Sequence, residues 1–376
     1  MGSRLRRTMR VAAVALGLSA ALAPMSAAPG LGVASENVTY VKTIPLEIGT
    51  VTGARQVGDA LFVGGAKGFS IYDVSDPVEP ALLNTTLSGP RFPNEDIDTN
   101  GEILLLSNQD TPVATGLEVY DVTDRTDPTL LGRVEGLKDH TFSCVLDCRW
   151  AYGSRGAIVD LRVPSRPRLA GSWGASMPND GFDVTEVSPG VVLTSTRVIR
   201  LLDARRDPVN PETVAIGSTG DNRLIHSNRW PRQGKDRFFL VQGETPLSQV
   251  CDRDTGAFMT WDASDYRRTR TFRMIDEYRV GNGTYTDGNP AVNGLGCTAM
   301  WFQHHPSFRN GGLVVSGFFE HGTRFLHVDG RGEISEVGYF MPIGGNTIAT
   351  YWISKKIVYA FDLQRGLDIL EFSRSA

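Results

Sequence analysis

GFSIYDVSDPVEPALL, residues 68–83, returns 48 residues later as GLEVYDVTDRTDPTLL, residues 116–131, and a looser copy, GAIVDLRVPSRPRLAG, occupies 156–171. In each copy an Asp (Asp73, Asp121, Asp160) is followed seven residues later by a Pro (Pro80, Pro128, Pro167). Each reads as a Gly, a β-branched and aromatic run ending in Asp, a turn rich in Ser, Asp and Pro, and a further run, which is the pattern of strands joined by tight turns. A strand that begins at Pro cannot donate a ladder hydrogen bond there, so the last run of each unit is expected at a sheet edge. Upstream of each Gly stands a strongly apolar strand (ALFVGG, EILLLS, WAYGS), preceded by a more polar one such as HTFSCV from His140. Four strands per unit result.

Fainter units follow: RVIRLLDARRDPVNP around Asp203, GAFMTWDAS around Asp262, GTRFLHVDGRGEISEVGYF around His327 and RGLDILEF around Glu371. Seven four-stranded units predict an all-β, seven-bladed β-propeller, whose blades bury both faces and so need nearly continuous apolar middle strands. A pair of β-sandwiches is the competing fold, but it has no reason to repeat a Gly-to-Asp-to-Pro spacing. The last unit stops at EFSRSA without an outer strand, whereas VTYVKTIPL, residues 38–46, has outer-strand character. The amino-terminal strand is therefore expected to close the ring and remove two edges. In the sixth unit His327 is read as taking the place of the usual Asp.

The first two copies resemble the LVIVD repeat of secreted bacterial propeller-like proteins, most of them uncharacterised. LVVSGFFEHGTRFLHVD, EVGYFMP and RGLDILEF are similar to the carboxy-terminal part of such proteins. The resemblance spans most of residues 38–372, and implies a fold and export but no reaction.

Residues 1–28 carry four arginines and then the apolar run VAAVALGLSAALA, as a secretory signal peptide does. Two small-residue cleavage points, after Ala28 and after Ala34, remain open, giving a leader within 1–34 and a single propeller domain over 36–376. The protein is expected to be secreted to the extracellular space. Loss of the leader removes four of the 38 cationic side chains and none of the 42 acidic ones, an acidic balance that disfavours nucleic acid as a partner. No second apolar run has spanning length, so no membrane span is expected. A closed ring has no need of a second copy, and a monomer is expected. The four cysteines predict two disulfides: Cys144 with Cys148 across a hairpin turn, and Cys251 with Cys297 between two long loops.

In a propeller the inner strands all begin at one face. Placing the units on that plan brings Asn94, Asp96, Asp139, His140, Asp180, His226, His304 and Asn346 to that face, joined by Glu244, Glu320 and His321 from loops between middle strands. His140, His226 and His304 with a carboxylate would suit a transition metal such as zinc, copper or iron, although spacings of 86 and 78 residues match no local metal motif. Equally, polar side chains at these positions can serve to hydrogen-bond neighbouring inner strands. Two functions follow. One is a non-catalytic binding module that takes a protein, glycan or small ligand on its loop-rich central face. The other is a metal-dependent oxidoreductase or hydrolase. No nucleophile elbow, zinc-protease helix or phosphate loop is present in the sequence. The run RRTRTFR, residues 267–273, is expected at the charged edge of blade five, and Trp230, Trp261, Trp301 and Trp352 as packing between blades.

Overall fold

A computed structural model, describing residues 32–88, 97–108, 116–174, 181–221, 223–244, 256–280 and 298–373, gives the repeat its physical meaning. Gly68 and Gly116 open the third strand of their units at φ 144° and 150°. A Cβ on either would lie 2.0 Å from the carbonyl oxygen of Thr86 or Val134 in the adjacent strand, so only glycine fits. The Asp at the other end of that strand accepts the amide two residues on: Asp73 from Ser75 at 2.8 Å, Asp121 from Thr123 at 2.9 Å, Asp160 from Arg162 at 3.1 Å, Asp203 from Arg205 at 3.0 Å and Asp262 from Ser264 at 2.9 Å. The carboxylate thus shapes the turn. Pro80, Pro128, Pro167 and Pro211 then stand immediately before outer strands.

In blade six the register differs from the sequence reading. Val328, opposite Gly312, holds the position of Asp262, opposite Phe238. Asp329, one residue later, accepts the Arg331 and Glu333 amides at 2.7 and 2.9 Å. His327 therefore does not replace the turn aspartate; the aspartate has moved one residue on and His327 is left facing a cleft.

The strands form seven antiparallel sheets. From inner to outer strand, blade one is Val51–Val57, Ala60–Gly65, Gly68–Asp73 and Ala81–Leu87; blade two is Ile97–Thr99, Ile103–Asn108, Gly116–Asp121 and Thr129–Glu135; blade three is Phe142–Val145, Trp150–Gly153, Ala157–Asp160 and Arg168–Ser172. Blade four is Asp183–Ser188, Val191–Ser195, Ile199–Asp203 and Glu212–Gly217; blade five is Leu224–Arg229, Phe238–Glu244, Phe258–Asp262 and Arg273–Tyr278. Blade six is Phe302–His304, Gly312–Gly317, Thr323–Val328 and Ile334–Pro342, and blade seven is Thr347–Trp352, Ile357–Asp362 and Gly366–Phe372, with Val38–Ile44 as its outer strand. The protein is a seven-bladed β-propeller with the inner strands side by side around the axis.

Closure takes the expected form: Val38 pairs with Phe372 and Ile44 with Leu367. A further strand, Gly32–Ala34, pairs with Phe340–Pro342 and makes blade six five-stranded, so residues placed on the leader side of the domain boundary take part in the ring. Apolar layers between blades hold the sheets together, for example Phe62, Phe69 and Ile71 of blade one against Leu104, Leu106 and Tyr120 of blade two. Trp261 and Trp301 are fully buried, and Trp230 and Trp352 nearly so, in keeping with packing roles. The arginine-rich segment contains a short helix, Tyr266–Thr269, before the outer strand starts at Arg273. Among the described residues no helix is long and apolar enough to cross a membrane.

Candidate functional site

Near the axis of the ring, side chains in and beside the inner strands bond across to the next blade. Ser107 Oγ donates to His140 O at 2.9 Å, Thr141 Oγ1 to Phe182 O at 2.9 Å, and Ser143 Oγ to Val184 O. Asn228 N donates to Asp183 Oδ2 at 3.1 Å, and Ser227 Oγ to Met300 O at 2.6 Å. Gln303 Oε1 accepts from Trp352 N, Tyr351 Oη from Ala54 N at 3.1 Å, and Arg55 pairs with Asp98 at 3.2 Å. Every one of the seven junctions is crossed by such a link. Buried polar groups must find partners, and here the partner is the neighbouring blade.

At the face where the inner strands start, His140 and His226 meet with ring centroids 6.3 Å apart. Both are packed on Phe182, at 5.1 and 5.2 Å, and His226 meets the edge of Trp301 at 5.0 Å. His304 is not with them. It ends its strand opposite Val314, the position that Arg229 holds opposite Leu240, and so sits toward the finishing face. The residue that matches His226 in blade six is Trp301, because the strand begins earlier than His304 and His305 led one to expect. Burial, together with the nearby Arg229, pushes the His304 pKa down to about 4. Among the described residues no three His, Cys, Asp or Glu side chains are gathered as a metal site.

Asp139 is also bound into the scaffold, with Oδ1 accepting the Arg155 and Ala157 amides at 2.7 and 3.3 Å; burial raises its pKa. Glu320 and His321 occupy the turn after Gly312–Gly317, with Nδ1 of His321 3.8 Å from Glu320 Oε1, and burial raises the Glu320 pKa. Glu244 ends the second strand of blade five, half-buried, and Asn346 is buried beside its inner strand. Asn94, Asp96, Asp180, Cys251 and Cys297 lie outside the described residues. Cys144 and Cys148 are joined, their Cα atoms 4.3 Å apart.

The finishing end of the axis holds charged groups that sequence reasoning missed. Asp98, Asp147 and Glu186 with Arg55 and Arg229 line a cavity of about 180 Å³, and Arg55 and Arg229 also wall a hollow of about 60 Å³ beside Gln303 and Tyr351. Glu186 Oε1 accepts the Leu146 and Gly190 amides at 2.8 and 2.7 Å, yet burial, with Asp98 and Asp147 nearby, raises its pKa. Arg229 reaches fully buried Asp183 at 3.3 Å and lies over Trp301, 5.7 Å from its centroid. Burial raises the Asp183 pKa against the opposing effect of Arg229. The signal for these residues was a charge near the end of the inner strand in blades one, two, four and five: Arg55 opposite Phe62, Asp98 opposite Leu105 and Arg229 opposite Leu240 at one register, and Glu186 opposite Val192 one pair further on.

The fold has solved counterparts. The WD40 beta propeller domain of Doa1 superposes with a TM-score of 0.59 at 11% identity, over 90% of this chain and 99% of that one. RRP9 WD40 repeats give 0.60 at 10% identity, over 91% and 99%. At such identity the likeness shows the fold alone. No protein-family model matches the chain. No curated protein matches it either.

Proposed function

We propose that this chain is an exported, non-catalytic recognition propeller of the LVIVD-repeat kind, binding a protein, glycan or small ligand through its central face. The observation that carries this reading is the belt of inter-blade bonds. Side chains whose types invited a catalytic reading, Asp139 above all, are engaged in holding backbone amides, and His226 is enclosed by aromatic rings. Groups held this way are fixed scaffold, whereas Arg55 and Asp147 at the finishing mouth are exposed and offer ion-pairing and hydrogen bonding to a partner. Export is supported by the arginine-plus-apolar start of the sequence and by the Cys144–Cys148 disulfide, which persists in oxidising compartments.

His140→Gln and His226→Gln test it. Both variants should lower the melting temperature by several degrees, as lost buried contacts do, and elemental analysis should find the same metal content as in the wild type. A stoichiometric metal that disappears in either variant while the melting temperature holds would establish the metal-dependent enzyme instead.

A further inference from the structure

A separate, larger cavity lies away from the axis, at the finishing face between blades six and seven. Turns at 305–311, 329–332 and 354–356 enclose about 670 Å³, within the size range of small-molecule sites. Its walls carry Arg309, Lys355 and Lys356, all exposed, and half-buried His327. Among the described residues Asp329 is the one acid there, and its Oδ1 is taken by the Arg331 and Glu333 amides. The floor is apolar, with buried Phe372 and Val328.

Many arginines elsewhere in the ring stand against carboxylates, as in Arg162 with Asp160, Arg205 with Asp203, Arg223 with Glu277 and Arg365 with Asp368. Among the described residues Arg309, Lys355 and Lys356 have no carboxylate within ion-pair distance. On a chain with net charge −4, three permanent cations converge on one cleft against a single acid. Gathering like charges costs electrostatic energy that an anion between them would relieve.

The cleft is also held in shape. His305 Nδ1 accepts the Ser307 amide at 3.1 Å, which leaves Nε2 to donate to Lys355 O at 3.1 Å. This bond ties blade six to the lysine turn of blade seven. His305 is further seated against the edge of Trp352 at 4.8 Å. A neutral imidazole thereby positions the lysine-bearing backbone, as a supporting residue does for a binding site.

We infer that this cleft binds a small organic anion, multiply charged through phosphate or carboxylate groups, with an apolar body resting on Phe372 and Val328. Arg309 donates from Nη1 to the Pro306 and Phe308 carbonyls at 3.3 and 2.6 Å, which leaves its Nε and Nη2 edge as the planar fork for paired oxygens, and the two lysines supply mobile point charges.

Phenyl phosphate is the probe, with inorganic phosphate beside it, titrated calorimetrically into the purified chain at low and moderate salt. One saturable site is expected, tighter for phenyl phosphate than for inorganic phosphate and weakened by salt. The double variant Lys355→Gln/Lys356→Gln should weaken binding about tenfold or more, and Arg309→Gln should do the same. Lys67→Gln, on the opposite face, should have no effect. All these side chains are exposed, and circular dichroism checks that each variant is folded. Absence of a saturable site, or affinity unchanged in the double variant, overturns the assignment.

Discussion

Asp160 draws its strength from two arginines on its own turn. Arg162 lies 2.8 Å and Arg168 3.0 Å from its Oδ2, and hydrogen bonds from Arg162 hold its carboxyl well below the usual carboxylate range. A carboxyl whose folded-state pKa is depressed stabilises the fold above its unfolded pKa, and that contribution is lost as pH falls through the folded value. Asp160→Asn should therefore cost about 1 kcal/mol at neutral pH, an amount kept small by the solvent around both arginines, and almost nothing in strong acid. Urea titrations of both proteins at the two pH values measure the difference. His304 has the same sign through a different cause. Its pKa of about 4 lies below the unfolded value near 6.5, so the neutral ring favours folding above about pH 6.5 and the benefit drains away toward pH 4. Asp362, raised to about 6 by burial, runs in the opposite direction over much of that range, so the wild-type profile alone hides both. Subtracting the curve of His304→Gln isolates the histidine: the variant should lose less stability than the wild type between neutrality and about pH 4.5. Equal losses would mean that His304 titrates as in the unfolded chain.

The hairpin of blade three is constrained on several sides. Leu146, Asp147 and Cys148 have φ of 54°, 59° and 51°, a left-handed run that non-glycine residues resist. The Cys144–Cys148 bridge closes it, the Leu146 amide feeds Glu186, and Asn100 Nδ2 donates to Asp147 Oδ1 at 2.8 Å. Replacing both cysteines with Ser should lower stability by about 2 kcal/mol from chain entropy alone and should release Asp147 from the channel mouth. Calorimetric melting with and without reductant reads this, and a melting point insensitive to the bridge would show that the neighbouring contacts suffice. Elements of this kind explain what could be read in advance. Gly68, Asp73 and Pro80 are dictated locally, by a backbone angle, a turn and a missing donor, so the same letters recur wherever the element does. His304 was misplaced because blade six reaches its inner strand through a long connection, where the start of pairing depends on tertiary register. The mouth charges Asp98 and Glu186 were overlooked because their contacts come from other blades: Asp98 meets Arg55 of blade one and the Cys144 amide of blade three, and Glu186 accepts the Leu146 amide of blade three.

Across the whole molecule, closure rests on Val38–Ile44, which covers Gly366–Phe372 and leaves no open edge there. Deleting residues 36–47 should expose that edge and sharply reduce solubility or melting temperature; a truncated chain as stable and monodisperse as the intact one would sink the closure argument. The pairing also sets an order of events. The first propeller strand of blade seven to leave the ribosome must wait for the last, since Val38 has no place to dock until Phe372 exists. Local hairpins can form as the chain grows, but the ring becomes a single cooperative body only at the end, after the greatest loop closure the sequence can require. A chain interrupted anywhere before Leu367 carries an unmatched strand at its front, so the ring cannot shut until the Gly366–Phe372 strand has been made.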